Sequence, residues 1–231
     1  MAGVTRKEWK QTTMRLHKLS NYIFLCVFCV FHLEKAADAT ASSTSGIYAN
    51  YDNLTPLQKH IAFFDRNKDG RVYPAEAIEG MMAIGFNMDL ATYAAGLIVG
   101  GLSGATAPPG TIPGLLDPVY VENIKKGIHR SHSGSYDKEG RFVPEKFEEA
   151  FAKYGKTKPN ALTLLEIDQL IKGNREPNDP MGPLSETVEW KLLYIAARDK
   201  KDGFLYKDTA RGAFNGSLWD KMAKQRSSRT N

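Results

Sequence analysis

The sequence predicts a mainly α-helical protein built from EF-hand-like helix–loop–helix units, with an inserted apolar helix and a proline-rich turn. Three observations predict this class. Residues 65–76 have the spacing of an EF-hand calcium loop, the pattern Gly-Arg-x-x-Pro of residues 70–74 recurs at 140–144, and residues 90–116 contain no charged side chain. The chain has 231 residues, of which 42% are hydrophobic and 25% are charged. This composition excludes a wholly disordered or collagen-like chain.

The net charge of +5 is concentrated at the two ends of the chain. Residues 1–20 carry a net charge of +4 and residues 220–231 carry +3, which leaves −2 for the residues between them. Basic ends are typical of targeting segments or contacts with anionic membranes, and they do not form a nucleic-acid-binding face. Both cysteines, Cys26 and Cys29, lie in one apolar run, which excludes a disulfide-framed secreted miniprotein.

Residues 1–41 are predicted to be a targeting or anchor segment. The apolar run 22–33 follows basic residues and precedes an alanine-rich stretch, which is the pattern of a signal peptide or signal anchor. A transmembrane helix needs about 20 apolar residues, so this run is short for one. The alternative is an amphipathic N-terminal helix buried in a core.

Residues 42–84 are predicted to form a linker and an EF-hand calcium unit. In the loop 65–76, side-chain oxygens fall at positions 1, 3, 5 and 12, a backbone carbonyl falls at position 7, and Gly70 permits the sharp turn at position 6. Pro74 suits the first turn of the exit helix, where a missing N–H costs nothing. The sequence predicts one calcium site per chain. Its ligands are Asp65, Asn67, Asp69, Arg71 through its carbonyl, and Glu76.

Residues 85–118 are predicted to form a membrane-associated Gly/Ala helix and a proline-rich turn. Gly96, Gly100 and Gly104 recur every four residues, and small residues at this spacing allow close helix contacts in membranes. Eighteen helical residues would span about 27 Å, which is marginal for a crossing. We therefore expect a hairpin that dips into one leaflet. The alternative is a soluble Gly/Ala helix packed in a core.

Residues 119–222 are predicted to be a degenerate EF-hand-like helical region, followed by a basic tail at 223–231. The repeat at 135–146 has Lys146 at position 12, and a third repeat at 198–209 lacks acidic residues at positions 1 and 12. A fainter fourth repeat ends at 162–166. We expect these loops to bind no metal, and we expect Val72 and Phe142 to pair across a short two-stranded ladder.

Three histidines are candidates for a haem site. His60 borders the apolar face of the helix that enters the calcium loop, and His129 and His132 follow the uncharged segment three residues apart. A neutral imidazole is a good axial ligand for haem iron. The alternative is one core histidine and two loop histidines.

Together, these motifs resemble the caleosins over about residues 50–222. The resemblance is carried by His60 ahead of the calcium loop, the Gly/Ala helix, the proline-rich turn and a series of short motifs in conserved order. The two histidines of the family correspond to His60 and to either His129 or His132. The short motifs are Ile128-His-Arg-Ser-His132, Tyr136-Asp-Lys-Glu-Gly-Arg-Phe142, Glu189-Trp-Lys-Leu-Leu-Tyr194, Ala197-Arg-Asp199 and Phe214-Asn-Gly-Ser-Leu218.

The resemblance implies a monotopic protein of the endoplasmic reticulum membrane or lipid-droplet surface that carries b-type haem and Ca²⁺. The implied activity is that of a peroxygenase, which transfers oxygen from a fatty-acid hydroperoxide to an unsaturated fatty acid. His60 and one of His129 and His132 would supply the iron ligand and the distal acid–base group. Nucleic acid is not an expected partner, and an oligomer is compatible with the family. Two alternatives are a non-catalytic calcium-responsive coat protein of lipid droplets and a haem-free calcium-binding protein of the secretory pathway.

Overall fold

The computed structural model describes residues 46–230 with the exception of 113 and 115, and its mainly helical class confirms the prediction. The predicted targeting segment 1–41 lies outside the described residues. Short 3₁₀ segments occur at Gly46–Tyr48, Tyr51–Asn53 and Val121–Gly127. The helices are α1 Pro56–Ala62, α2 Pro74–Ile84, α3 Met88–Thr106, α4 Pro144–Tyr154, α5 Leu164–Gly173, α6 Gly182–Ala197, α7 Lys207–Phe214 and α8 Leu218–Thr230. The strands are β1 Arg71–Val72, β2 Val119–Tyr120, β3 Ala161–Leu162 and β4 Leu205–Tyr206.

Local capping signals set where several helices begin. Thr55 caps α1 in a reciprocal box, in which Gln58 N donates to Thr55 Oγ1 and Thr55 N donates to Gln58 Oε1. Thr163 and Glu166 form the same box at α5. Asn87 Oδ1 accepts the N–H of Leu90 at the start of α3. Each cap satisfies backbone donors that the first helical turn leaves free, so these boundaries follow from the local sequence.

Two short antiparallel ladders pair β1 with β2 and β3 with β4. Val72 lies opposite Val119, and Leu162 lies opposite Leu205. The expected pairing of Val72 with Phe142 is wrong, because Phe142 bridges to Tyr136 within its own loop. The ring of Phe142 packs in a separate aromatic core, whereas Val72 and Val119 are both almost fully buried beside the cavity described below.

The aromatic core holds α4, α6 and α7 together. Phe147 lies at its centre, with ring-centroid distances of 4.9 Å to Phe151, 5.2 Å to Phe214 and 5.5 Å to Phe142. Trp190 of α6 reaches Phe214 at 5.6 Å. Offset and edge contacts at such distances add to the free energy gained from burying the rings. Because this core is rigid, it fixes the wall from which Trp190 and Phe214 face the cavity.

Helix α3 has one buried face and one exposed, uncharged face. Ala91, Ala94, Ala95 and Val99 are buried, and their small side chains allow α3 to pack closely against α2. The glycines predicted to mediate close contacts lie on the opposite face. A Cβ atom added at Gly96, for example, would meet nothing within 4 Å. Among the described residues, no helix is both long enough and apolar enough to cross a membrane.

The loop 155–166 is closed by a carboxylate that bonds to its backbone. Glu166 Oε1 accepts the N–H groups of Lys156 at 2.7 Å and Thr157 at 2.6 Å, and Oε2 accepts the N–H of Thr163 at 2.7 Å. Burial alone would raise the pKa of Glu166, but these bonds outweigh it and lower the pKa to about 2. Asn160, at the turn of this loop, has φ +59°, a conformation that asparagine tolerates better than most residues.

We expect Glu166→Gln to lower the free energy of unfolding by about 1–3 kcal/mol, because an amide offers one acceptor oxygen and no charge to three N–H donors. The folded-state pKa lies below the ordinary value of 4.5, so this stabilisation is complete above pH 4.5 and is lost as the pH falls towards about 2. Urea unfolding at pH 7 and at pH 3 measures both effects. Glu176→Gln, at an exposed position after α5, is the control. Equal stabilities of the two variants at pH 7 would contradict this role of Glu166.

Candidate functional site

The loop 65–76 connects α1 to α2 and carries all five predicted calcium ligands. Gly70 at position 6 has φ +88°, which a residue with a Cβ atom rarely adopts. Asp65 Oδ2 accepts the N–H of Gly70 at 2.8 Å, and Asp65 Oδ1 accepts the N–H of Asp69 at 3.2 Å. Asp69 Oδ1 in turn accepts the N–H of Arg71 at 2.8 Å. These bonds hold the predicted ligands in a closed turn.

Glu76 closes the loop from the exit helix. Its Oε1 accepts the N–H groups of Arg66 at 2.9 Å and Asn67 at 3.2 Å, and its Oε2 accepts the N–H of Tyr73 at 3.0 Å. Within the described part of the chain, no three acidic, histidine or cysteine side chains form a group that could hold a metal ion by themselves. A calcium site here would also need the oxygen of Asn67 and the carbonyl of Arg71.

The electrostatics of this loop fit a divalent cation. Burial, with a contribution from the charge of Asp65, raises the pKa of Glu76 to about 7. Burial also raises the pKa of Asp65, with a contribution from the charge of Asp69. The nearby Lys68 ammonium donates to the carbonyl of Ala62 at 2.5 Å. A set of hard oxygen donors that repel one another when ionised is the chemistry that calcium stabilises.

Tyr48 is a residue of this site that sequence reasoning missed. Its hydroxyl donates to Asp65 Oδ2 at 2.6 Å, and the ammonium of Lys68 lies 5.3 Å from its ring centroid. Burial and the bond to Asp65 raise the pKa of Tyr48. Tyr48 lies 17 residues before Asp65 in a 3₁₀ turn, outside any recognisable motif, so only the folded chain reveals the contact.

A largely apolar cavity of about 200 Å³ lies beside the calcium loop, and all three candidate histidines line it. The cavity is bounded by α1, α2, α3, α6, α7, α8 and the segment 119–136. Its aliphatic wall includes Ile61 of α1, Leu102 of α3 and Leu193 of α6. Its polar side chains are His60, His129, His132, Tyr136, Glu189 and the indole of Trp219.

His60 projects from α1 with one ring nitrogen already bonded. Its Nδ1 lies 2.8 Å from the carbonyl oxygen of Ala213, which accepts only, so Nδ1 carries the proton and Nε2 keeps the lone pair. The ring packs edge-on against Trp219 at 5.4 Å between centroids. Burial lowers the pKa of His60, which favours the neutral form. An imidazole held through one N–H to a backbone carbonyl is the usual arrangement of a metal-ligating histidine.

His129 and His132 face each other edge-on at 6.2 Å in the loop after the 3₁₀ segment Val121–Gly127. His129 Nε2 lies 3.6 Å from Glu189 Oε2 of α6. Burial alone would lower the pKa of His129, but Glu189 outweighs it and the pKa is raised. His132 accepts the N–H of Gly134 at Nδ1, and burial together with the neighbouring His129 lowers its pKa.

Three buried polar atoms on the cavity wall have no hydrogen-bond partner within the described chain. They are His129 Nδ1, Tyr136 Oη and Trp219 Nε1. Buried polar atoms are nearly always bonded, so their convergence on one cavity indicates that the cavity receives a polar ligand. The apolar walls and a neutral imidazole that keeps a lone pair on Nε2 have the chemistry that a haem group requires of its protein ligands. Sequence reasoning did not select Tyr136, Glu189 or Trp219 as site residues, although the resemblance motifs contain Tyr136 and Glu189.

Comparison with known proteins shows which family the chain is similar to. The profile of the family described as Caleosin related protein matches residues 52–223. The chain is 51% identical over 174 residues to the Arabidopsis thaliana protein named Probable peroxygenase 4. The aligned region is 75% of this chain and 88% of that relative. The chain is also 43% identical over 180 residues to the Lilium longiflorum protein named Peroxygenase. That aligned region is 78% of this chain and 74% of the relative.

A third relative bears on activity. The chain is 39% identical over 150 residues to the Arabidopsis thaliana protein named Probable inactive peroxygenase-like protein. The aligned region is 65% of this chain and 71% of that relative. No solved structure matches the chain. With a family profile that spans residues 52–223 and relatives that are 43–51% identical over most of its length, this chain belongs to the caleosin family.

Proposed function

We propose that this protein is a haem-dependent, calcium-binding peroxygenase that transfers oxygen from a fatty-acid hydroperoxide to an unsaturated fatty acid. The observation that carries the proposal is the apolar cavity lined by His60, His129 and His132, three of whose wall residues carry a buried polar atom with no partner in the described part of the chain. The two relatives named peroxygenases support it. The hydroperoxide leaves as an alcohol and the double bond becomes an epoxide, so no external oxidant is required.

His60 is the residue that would hold the haem iron. Its Nδ1–H bond to Ala213 O leaves Nε2 as the nitrogen that can coordinate, and burial keeps the ring neutral. When bound, the haem supplies the redox chemistry that breaks the O–O bond of the hydroperoxide. Trp219 packs against the His60 ring and limits its rotation.

The remaining cavity residues would bind and orient the substrates. Aliphatic side chains such as Leu102 and Leu193 exclude water and accept the acyl chains. Tyr136 Oη and Trp219 Nε1 are unpartnered donors that can bond the peroxide or carboxylate oxygens. One of His129 and His132 would transfer the proton that the alcohol product requires.

Calcium would act on this site through α1. The loop 65–76 begins directly after the helix that carries His60, and Ile61 and Phe64 beside it also line the cavity. A cation that neutralises Asp65, Asp69 and Glu76 would stabilise the end of this helix. Calcium has no redox role in this scheme, and its contribution is to position His60.

The exposed face of α3 supports a membrane or lipid-droplet location. Tyr93 is 66% exposed and Leu97 is 38% exposed, and the exposed positions between Gly96 and Ala105 carry no charge. In the turn that follows, Ile112 is 92% exposed. An exposed uncharged surface of this kind is typical of a protein that contacts lipid. On the endoplasmic reticulum membrane or a lipid droplet, this surface would lie where the acyl substrates are.

We expect calorimetry to find one calcium site per chain, because a bidentate carboxylate at position 12 is present in the loop 65–76 and is replaced by Lys146 in the loop 135–146. Glu76→Gln should weaken calcium binding by about tenfold or more, since it removes half of the bidentate ligand. The control is Glu79→Gln, on the exposed side of the same helix. Two or more tight sites, or no binding by the wild type, would contradict the assignment.

We expect the wild type to show a Soret band and hydroperoxide-dependent epoxidation, and His60→Ala to lose both while it keeps calcium binding. Calcium binding should remain because the variant removes no ligand of the loop. Added imidazole should restore part of the Soret band because it replaces the missing coordinating nitrogen. Absorption spectra and product analysis with an unsaturated fatty acid measure the outcome. A wild type with neither haem nor turnover would favour the non-catalytic coat protein, an outcome that the relative named inactive makes worth testing.

We expect Tyr93→Asp combined with Leu97→Asp to reduce flotation with lipid emulsions severalfold, because two charges on the exposed face of α3 oppose burial in lipid. The test uses chains that begin at residue 43, so that the predicted anchor does not mask the effect. Leu165→Asp with Leu184→Asp is the matched control, at positions 74% and 52% exposed on α5 and α6. Equal flotation of the two double variants would contradict docking through α3.

A further inference from the structure

We propose that Glu189 is a positioning residue for His129, that it holds the proton on Nε2, and that His129 Nδ1 is the atom that moves the proton of the hydroperoxide. This inference rests on the proposed peroxygenase function and assigns the iron ligand and the proton carrier to different histidines. It also adds Glu189, to which sequence reasoning gave no role, to the site.

The first argument is the position of the carboxylate. Glu189 Oε2 lies 3.6 Å from His129 Nε2, an ion-pair distance slightly longer than a hydrogen bond. A carboxylate accepts but does not donate, so it favours the tautomer with the proton on Nε2. The Glu189 side chain is 54% exposed whereas the His129 side chain is 13% exposed, so the carboxylate stays hydrated beside a largely buried ring. Contacts of this kind often shorten when the substrate binds.

The second argument is the other nitrogen of the same ring. His129 Nδ1 is buried and has no hydrogen-bond partner within the described chain. With the proton on Nε2, Nδ1 carries a lone pair on a residue of the cavity wall. Tyr136 Oη, which is also unpartnered and lines the same cavity, can donate to an oxygen held there.

The third argument is that the Nδ1 atoms of both other histidines are already hydrogen-bonded to the backbone. His60 Nδ1 donates to Ala213 O, and His132 Nδ1 accepts from Gly134 N. Among the described residues, His129 is the one of the three rings that lies within salt-bridge distance of a carboxylate. His60 is therefore suited to coordination, and His129 to repeated gain and loss of a proton.

The charged groups around His129 agree with this role. Glu189 and Glu186 of α6 and Asp179 of the loop before it favour the protonated ring, and His132 opposes it. The net effect is a raised pKa. A ring whose protonated form is stabilised by a neighbouring carboxylate can both accept and return a proton.

His129, with Glu189 beside it, both takes up and returns the proton, so no other proton donor is needed. His129 Nδ1 accepts the proton of the terminal –OH of the hydroperoxide, and the ring becomes an imidazolium stabilised by Glu189. The same proton then goes to the oxygen attached to the acyl chain as the O–O bond breaks, so that the leaving group is a neutral alcohol. The terminal oxygen ends in the epoxide, the peroxide is reduced as the double bond is oxidised, and His129 returns to its starting state.

The test compares Glu189→Gln with wild type in the full chain. In haem-free protein with ¹⁵N-labelled histidine, NMR titration should show that the pKa of His129 falls and that the Nε2–H tautomer is less favoured. In the haem-loaded enzyme, kcat should fall about 10–100-fold with a smaller change in KM, and the acid limb of the pH–rate profile should move to lower pH. Glu189→Asp should restore part of kcat. The Soret band should be unchanged, because Glu189 does not hold the iron.

The control is Glu122→Gln, an exposed carboxylate on the 3₁₀ segment Val121–Gly127, which should change none of these measurements. Loss of the Soret band in Glu189→Gln, or an unchanged titration of His129, would overturn the inference while leaving the peroxygenase function standing. Wild-type kcat in His129→Gln would also overturn it. Absence of turnover in the wild type would instead refute the proposed function, and the proton-transfer role with it.

Discussion

Two glutamates at the last position of a twelve-residue loop set the geometry on which the rest of the structure depends. Glu76 accepts the N–H groups of positions 2, 3 and 9 of its loop, and Glu166 accepts the N–H groups of the same three positions of its own. Each glutamate belongs to the exit helix and bonds to the backbone that follows the entering helix, so it fixes the angle between the two. With these angles set, Val72 meets Val119 and Leu162 meets Leu205. Helices α1 and α2, which the loop of Glu76 connects, form part of the cavity wall.

Helix α3 borders the cavity on one face and the outer surface on the other. Its alanines pack against α2, Val99 and Leu102 contribute to the cavity wall, and its glycine-rich face with Tyr93 is exposed. One helix thickness therefore separates the outer surface from the cavity. If the outer surface contacts lipid, as we propose, the acyl chains of a membrane or droplet lie within about 10–12 Å of the cavity wall.

The sequence predicted what local chemistry decides. Gly70 and Pro74 act through their immediate neighbours, and together with the loop spacing they led to the mainly helical class, whereas the caps at Thr55 and Thr163 were not predicted. The pairing of Val72 was predicted wrongly, because a strand of two residues has no alternation that selects a partner. The pairing depends instead on the packing of α2 and α3, which lie between the two strands in the sequence. Glu189, Tyr136 and Trp219 were not predicted as site residues, since their convergence depends on where α6, α7 and α8 pack.

The contact between His60 and Ala213 joins residues that are 153 positions apart in the chain. At synthesis rates of about 5–20 residues per second, α7 follows α1 after roughly 8–30 s. During that interval the calcium loop can already be complete, while His60 lacks both the carbonyl that orients it and the indole of Trp219 beside it. The nascent chain thus passes through a stage in which its apolar half-cavity faces solvent. The order of the chain therefore sets the earliest moment at which the cavity can be complete.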